Sequence, residues 1–150
     1  MSEAEAASTL FPGKKFERAE IELTDQDVEK IEKASGAKVR SKKLKLFKSP
    51  SKELVFIDQV LGKHEFITYA VGIDSSGKVA GIEIIEYRES YGGQIRKPEW
   101  RAQFTGKETS SQLKLGGDIK NISGATLSCA HVTSGVKRLL QTYDVVHSRL

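Results

Sequence analysis

The sequence has almost none of the residues that staple or metallate a small protein. Cys129 is its single cysteine, which leaves no internal disulfide and no cysteine metal set; its expected role is packing within a helix. His64, His131 and His147 are scattered, with no HxxxH or Cys/His spacing, so no metal site is expected. No apolar run approaches the ~20 residues of a membrane span. Residues 1–8 lack a basic start with an apolar middle, so no signal peptide is read, although Glu3 to Ser8 equally fits the tail left by a removed leader. Proline is scarce, with 3 in 150 residues, and no Pro- or Gly-rich linker divides the chain. No internal repeat and no nucleophile–base pair stands out, so substrate chemistry by the protein's own side chains is not indicated.

What is present describes an ordinary globular chain. At 38% hydrophobic and 29% charged over 150 residues, it can build one domain with a sizeable core. The net charge of +4 is unevenly placed. Lys38, Arg40, Lys42, Lys43, Lys45, Lys48 and Lys52 form one stretch with no acid inside it. Such a stretch reads either as a docking face for an acidic partner or as a solvated strand face whose lysines discourage edge pairing. It has one aromatic, Phe47, and no recognition motif, so nucleic acid is not the expected partner.

The pattern along the chain predicts an α+β fold. Residues 1–9 read as a disordered tail and residues 10–150 as a single domain. Thr24 predicts a helix cap, with Asp25 and Asp27 in the first turn, a stripe of Val28, Ile31 and Ala34, and a stop at Gly36. Residues 38–87 then read as strands: an alternating segment from Lys38 to Phe47, a buried run at Leu54 to Ile57, and segments at Phe66 to Ile73 and Val79 to Tyr87. Asp74-Ser75-Ser76-Gly77 joins the last two as a hairpin. Val132, Val136, Leu139, Leu140 and Tyr143 recur at the spacing of one helix face. The expectation is an antiparallel sheet packed against an N-terminal and a C-terminal helix.

Ile122-Ser123-Gly124-Ala125-Thr126-Leu127-Ser128 opens that last helix. Ser123 is placed as the N-cap, and Gly124 and Ala125 are small enough for close approach. Amides in a first helical turn have no intrahelical partner and the helix dipole favours negative charge, so phosphate is the expected ligand. Taken alone, four such residues are also just a good helix start.

Ser123-Gly124-Ala125-Thr126 resembles the flavinylation motif of the FMN-binding domain family, which includes the flavinylated domain of the sodium-translocating NADH:quinone oxidoreductase and its counterpart in an electron-transport relative of that complex. Two further blocks agree in order and rough spacing. Glu89-Ser90-Tyr91-Gly92-Gly93-Gln94 stands where the family has a Glu-Thr-Pro-Gly-Leu-Gly-like loop. Trp100 and an intact Gln103-Phe104-Thr105-Gly106-Lys107 follow. The family usually has Asp three residues before the Ser, where this chain has Lys120; the nearest acid is Asp118.

The resemblance implies an electron-transfer protein that binds FMN, with Thr126 as the hydroxyl that carries it through a phosphoester installed from FAD by a separate flavin transferase. Ser123, Gly124, Ala125 and Leu127 would surround the phosphate end. Glu89, Ser90, Tyr91, Gly92 and Gly93 would meet the ring, and Tyr91 or Trp100 would either stack on it or belong to the core. Redox partner proteins are implied, and a setting outside the cytoplasm if a leader has been removed, the cytoplasm otherwise. Two other readings stay open: an FMN domain without the covalent bond, such as a small reductase, and a basic docking module with a vestigial flavin site.

Overall fold

A computed structural model describes residues 1–88 and 93–150. Its centre is a five-stranded antiparallel meander in which each strand pairs with its sequence neighbours: β1 (Glu17–Glu22), β2 (Lys43–Lys48), β3 (Leu54–Leu61), β4 (Phe66–Ile73) and β5 (Val79–Glu86). Four α-helices among the described residues surround it: α1 (Glu3–Leu10), α2 (Asp25–Ser35), the single turn α3 (Pro98–Arg101) and the long α4 (Thr126–Val146). This is the α+β arrangement the sequence pattern predicts, with α2 and α4 packed together on one side of the sheet.

The strand period of two divides the apolar residues between two faces. Leu46, Phe56, Ile67, Tyr69, Val71, Ile82 and Ile84 point toward α4, which returns Val132, Val136, Leu139, Leu140 and Val146 from its own buried stripe. Each of these side chains contributes roughly 1.5–3 kcal/mol by leaving water. Val55 and Ala70 point the other way, with Phe47 and Ile57 beside them.

That second face is covered by a segment whose structure differs from expectation. Residues 3–9, read as part of a disordered tail, form α1 together with Leu10. Ser2 and Glu5 make a reciprocal capping box, and Ala6 and Ala7 are buried against the sheet. Gly72 and Gly81 stand opposite one another beneath it. A Cβ on Gly72 would come within 2.8 Å of the Phe11 ring, and one on Gly81 within 3.1 Å of Leu10 Cδ2. Glycine at these two positions therefore leaves room on the sheet where the helix end crosses it.

β1 also goes beyond the sequence reading, which had only apolar anchors at Phe16, Ile21 and Leu23. It pairs with β2 so that Glu17 stands opposite Lys48, Glu20 opposite Lys45 and Glu22 opposite Lys43. Opposite charges across a strand pair are mildly favourable. Lys45 also reaches Glu3, at 3.0 Å, and Lys42 pairs with Asp25. The lysine-rich stretch is thus neither a sheet edge nor an uncompensated cationic face; much of its charge is answered within the fold.

α4 is seated by polar contacts as well as apolar ones. Gly135 lets the helix pass directly over Tyr69, where a Cβ would lie 2.1 Å from the phenol oxygen. Tyr69 donates to Asp58 at 2.6 Å, and the buried Arg138 of α4 pairs with the same carboxylate. Burial, with the Asp58 charge adding to it, pushes the Tyr69 phenol well above its ordinary value, so it stays a donor. Near the other end, Arg149 donates both guanidinium branches to Asp27 of α2, each at 2.8 Å.

Candidate functional site

The start of α4 is built differently from what the cap rule predicts. Ser123 does not cap the helix. Ile122 to Ala125 forms a turn closed by the Ala125 N–H on the Ile122 carbonyl at 3.0 Å, with Gly124 at φ +87° in its third position. A residue with a side chain is strained there, and glycine is not. The turn delays the helix, so Ala125 becomes the N-cap and offers no side-chain acceptor. The first intrahelical bond runs from Cys129 N to Ala125 O. The amides of Thr126, Leu127 and Ser128 therefore precede the hydrogen-bond ladder, with no side-chain cap to receive them.

What holds this turn in place comes from Trp100 and the Gln103 to Lys107 string. Trp100 Nε1 donates to the Lys120 carbonyl at 2.8 Å, and Gln103 Oε1 accepts the Lys120 N–H at 2.8 Å. Both backbone groups of Lys120 are gripped, while its side chain is exposed. Phe104 is fully buried and meets Trp100 edge-on at 5.1 Å between ring centres. Gly106 N–H and Lys107 C=O bond to the backbone of Val79 at the start of β5. Lys107 Nζ reaches Asp118 at 3.2 Å, and Asp118 also accepts the amides of Leu113 and Lys114. Burial opposes charge on Asp118, but those amides and Lys107 together hold its carboxyl below the usual range. Asp118 thus organises the approach to the turn and does not replace the acid that Lys120 displaces.

The turn opens onto a cleft of about 590 Å³ lined by Lys63, His64, Glu65, Tyr87, Arg88 and the run from Gly124 to Ser128. That size suits a cofactor. One wall is the β3–β4 connection, closed by Gly62 N–H on Glu65 O at 2.8 Å and tied to α4 by His131 Nδ1 on the Leu61 carbonyl. The opposite wall is the end of β5, where the Tyr87 hydroxyl lies 3.1 Å from Ser128 Oγ. Thr126 is exposed, and its Oγ1 accepts a hydrogen bond from Asn121 Nδ2 at 3.0 Å. Leu127, 48% exposed, supplies an apolar surface.

Of the residues singled out in the sequence, Gly124, Ala125, Thr126 and Leu127 line this cleft and Ser123 lies in the turn beside it. Trp100 is buried to 5% exposure and does not line it; its remaining surface forms part of a shallower depression with Lys97, Gln103 and Lys120. Glu89, Ser90, Tyr91 and Gly92 lie outside the described residues, and Gly93 begins a short 3₁₀ turn to Arg96. Tyr87 and Arg88, which lead directly into that loop, are in the cleft. Lys63, His64, Glu65, Tyr87, Arg88 and Asn121 were not singled out as site residues. A Gly62–Glu65 connection between two strands was the signal for the first three.

The donor set fits a phosphate-bearing flavin. Open amides and the positive end of a 21-residue helix meet an anion. Gly124 leaves room for it, since a Cβ there would have nothing within 4 Å. Lys63 and Arg88, the latter paired with Glu86, put cations in the walls with Glu65 beside them, and Leu127 offers an apolar contact.

Comparison with known proteins agrees. The sequence profile of the FMN-binding domain family matches residues 62–141, more than half of the chain. One component of the Na(+)-translocating ferredoxin:NAD(+) oxidoreductase complex of Acetobacterium woodii is 34% identical over 82 residues, covering 49% of this chain and 40% of that protein. One component of the ion-translocating oxidoreductase complex of Shewanella oneidensis is 31% identical over 83 residues, covering 48% of this chain and 39% of that protein. The chain therefore spans about two fifths of the length of these curated relatives. The crystal structure of Shewanella oneidensis NqrC superimposes with a TM-score of 0.64 at 13% identity, over 94% of this chain and 86% of that one, which is a likeness of fold.

Proposed function

We propose that this chain, which belongs to the FMN-binding domain family, is an electron-transfer domain carrying its FMN as a phosphoester on Thr126. FMN is the cofactor, and its ring supplies the electron transfer when bound. The chain's residues hold and orient it. The observation that supports attachment most directly is the position of the Thr126 hydroxyl. It is exposed at the first residue of α4, in a cleft, beside three amides outside the helix ladder. A phosphate on that oxygen keeps its negative charge against the helix N-terminus.

In this reading Ser123 and Gly124 shape the turn around the phosphate and Leu127 borders the flavin. The loop Glu89, Ser90, Tyr91, Gly92 and Gly93, reached from Tyr87 and Arg88, meets the ring. Trp100 contributes through its hold on Lys120. A flavin transferase matures the domain, using FAD as donor. The redox partners are other proteins, in keeping with relatives whose names place them in oxidoreductase complexes. Among the described residues no helix is long and apolar enough to cross a membrane. The setting outside the cytoplasm is part of the proposal, since a tethered flavin cannot diffuse away where free flavin is scarce.

Intact mass after co-expression with a flavin transferase tests this. Wild type should gain one FMN less one water, and Thr126→Ala should gain nothing. Lys120, in place of the family's Asp, favours a second reading in which FMN is held without the bond. In that case the purified protein is yellow, its mass is unchanged, and denaturation releases the colour. A colourless protein of unchanged mass would refute both.

A further inference from the structure

The hydrogen bond from Asn121 to Thr126 has no part in holding the fold's core. Both residues are exposed, and Asn121 lies in the segment between the gripped Lys120 and the Ile122–Ala125 turn. Its side chain reaches past that turn to the Thr126 oxygen. A threonine at the first position of a helix has several staggered rotamers open to it, and they send the hydroxyl in different directions. A donor at 3.0 Å selects the one that places Oγ1 toward Asn121. The donor is itself aimed, because Trp100 and Gln103 fix both backbone groups of the preceding residue.

We infer that Asn121 is a positioning residue for flavin attachment: its side-chain amide orients the Thr126 hydroxyl for attack and stays bonded to the oxygen afterwards. The inference rests on the attachment reading proposed for Thr126. In the transfer step Thr126 Oγ forms a bond to the phosphorus on the FMN side of FAD. The pyrophosphate P–O bond breaks, AMP departs, and the hydroxyl proton balances the charge on the departing AMP. One lone pair of Oγ receives the Asn121 N–H throughout, so the other lone pair and the O–H face the cleft. The bridging oxygen of the product still has a lone pair for the same donor. Orientation of this kind acts on the rate of the chemical step and not on recognition of the domain.

The test follows attachment by intact mass over time, with the purified chain, a flavin transferase, FAD and magnesium, at several concentrations of the chain. A net hydrogen bond is worth a factor of a few up to about ten. Asn121→Ala should lower kcat about five- to tenfold, leave the KM for the chain and the Tm unchanged, and still reach full mass. Asn121→Asp, which keeps the size but loses the donor, should be at least as slow. Attachment at the wild-type rate in either variant overturns the inference. So does a loss that appears in KM, or one accompanied by a fall in Tm, because Asn121 would then be holding the loop. Wild type that gains no mass sinks the attachment reading and this inference together. Normal wild-type attachment with an unimpaired Asn121→Ala sinks the inference alone.

Discussion

The N-termini of α2 and α4 are opposites. At α2, Thr24 sits in extended backbone with ψ 167°, its hydroxyl accepts the Asp27 amide, Asp27 returns a carboxylate to the Thr24 amide, and Arg149 closes over the pair. At α4, Ala125 sits at ψ 28° with no side-chain oxygen, and no described side chain caps the first turn. The longer helix is the one left open, although a cap is typically worth about 1 kcal/mol. Stability for α4 comes instead from its middle and far end, through Gly135 on Tyr69 and Arg138 on Asp58. A helix anchored elsewhere can leave its first amides to a ligand.

Substitutions can separate the two ends. The largest effect expected is Thr126→Ala, which should abolish the mass gain entirely while moving Tm by less than about 2 °C, since the side chain is exposed and lies outside the core. Intact mass and a melting curve on the same sample check both halves. Gly135→Ala should do the reverse. Helix propensity favours alanine by about 1 kcal/mol. Its methyl group would lie 2.1 Å from the Tyr69 oxygen, and overpacking of that kind costs roughly 3 kcal/mol. The net loss of about 2 kcal/mol corresponds to roughly 4–8 °C in Tm.

Asp27→Ala opens the closed end. It should cost about 1–2 kcal/mol, the range for a lost cap partner, and leave the rate of attachment unchanged. The Arg149 guanidinium, then the Thr24 amide, hold the Asp27 carboxyl well below its ordinary value. A carboxylate depressed in the folded state stabilises above its unfolded pKa, about 3.9, and that stability drains away as pH falls below it. Urea melts between pH 5 and pH 2 should therefore show wild type losing more stability than Asp27→Ala. If the two curves stay parallel, the clasp is not the source. The smallest effect belongs to Lys120→Asp. Its backbone is held whatever the side chain, so stability should shift by no more than about 0.5 kcal/mol. Attachment should change less than threefold. A mass gain that appears only in Lys120→Asp would show that the lysine blocks the transferase and that wild type binds FMN without the bond.

The same contrast explains what the sequence made legible. The cap and stop of the closed helix, though not the Arg149 clasp 122 positions away, were readable because they are local: Thr24, Asp27 and Gly36 at φ +72°. So was the β4–β5 turn, where Asp74 Oδ1 accepts from Ser76 and Lys78 and Gly77 takes φ +85°. α1 was missed although Ser2-Glu3-Ala4-Glu5 carries the spacing of a capping box. Its apolar content is three alanines and the terminal Leu10, of which only Ala6 and Ala7 are buried, too little to show a stripe. β1 was missed because its inner side holds only the partly buried Ala19 and Ile21. At the open end, the Ser123–Thr126 turn could be found by resemblance, but the reading put the cap too early, at Ser123, because it did not weigh the left-handed Gly124 as part of a closed turn. The walls of the cleft come from strand ends remote in sequence, and no local pattern reports which strand ends meet. Gln103 to Lys107, recognisable as a string, gave no hint that its work is to grip Lys120, Val79 and Asp118.

The clasp between Arg149 and Asp27 joins residues 122 positions apart, and this sets an order in time. During synthesis the meander can assemble strand by strand as each neighbour emerges. The clasp that holds the far end of α4 closes only once residue 149 has left the ribosome. If Thr126 is the acceptor, a transferase that requires the seated turn meets it only after Arg138 of α4 has docked on Asp58, with or without the clasp, and the flavin becomes a record that α4 docked. Ribosome-bound chains stalled before residue 138, which lack the Arg138 pairing to Asp58 as well, should accept no FMN under conditions where the released chain does.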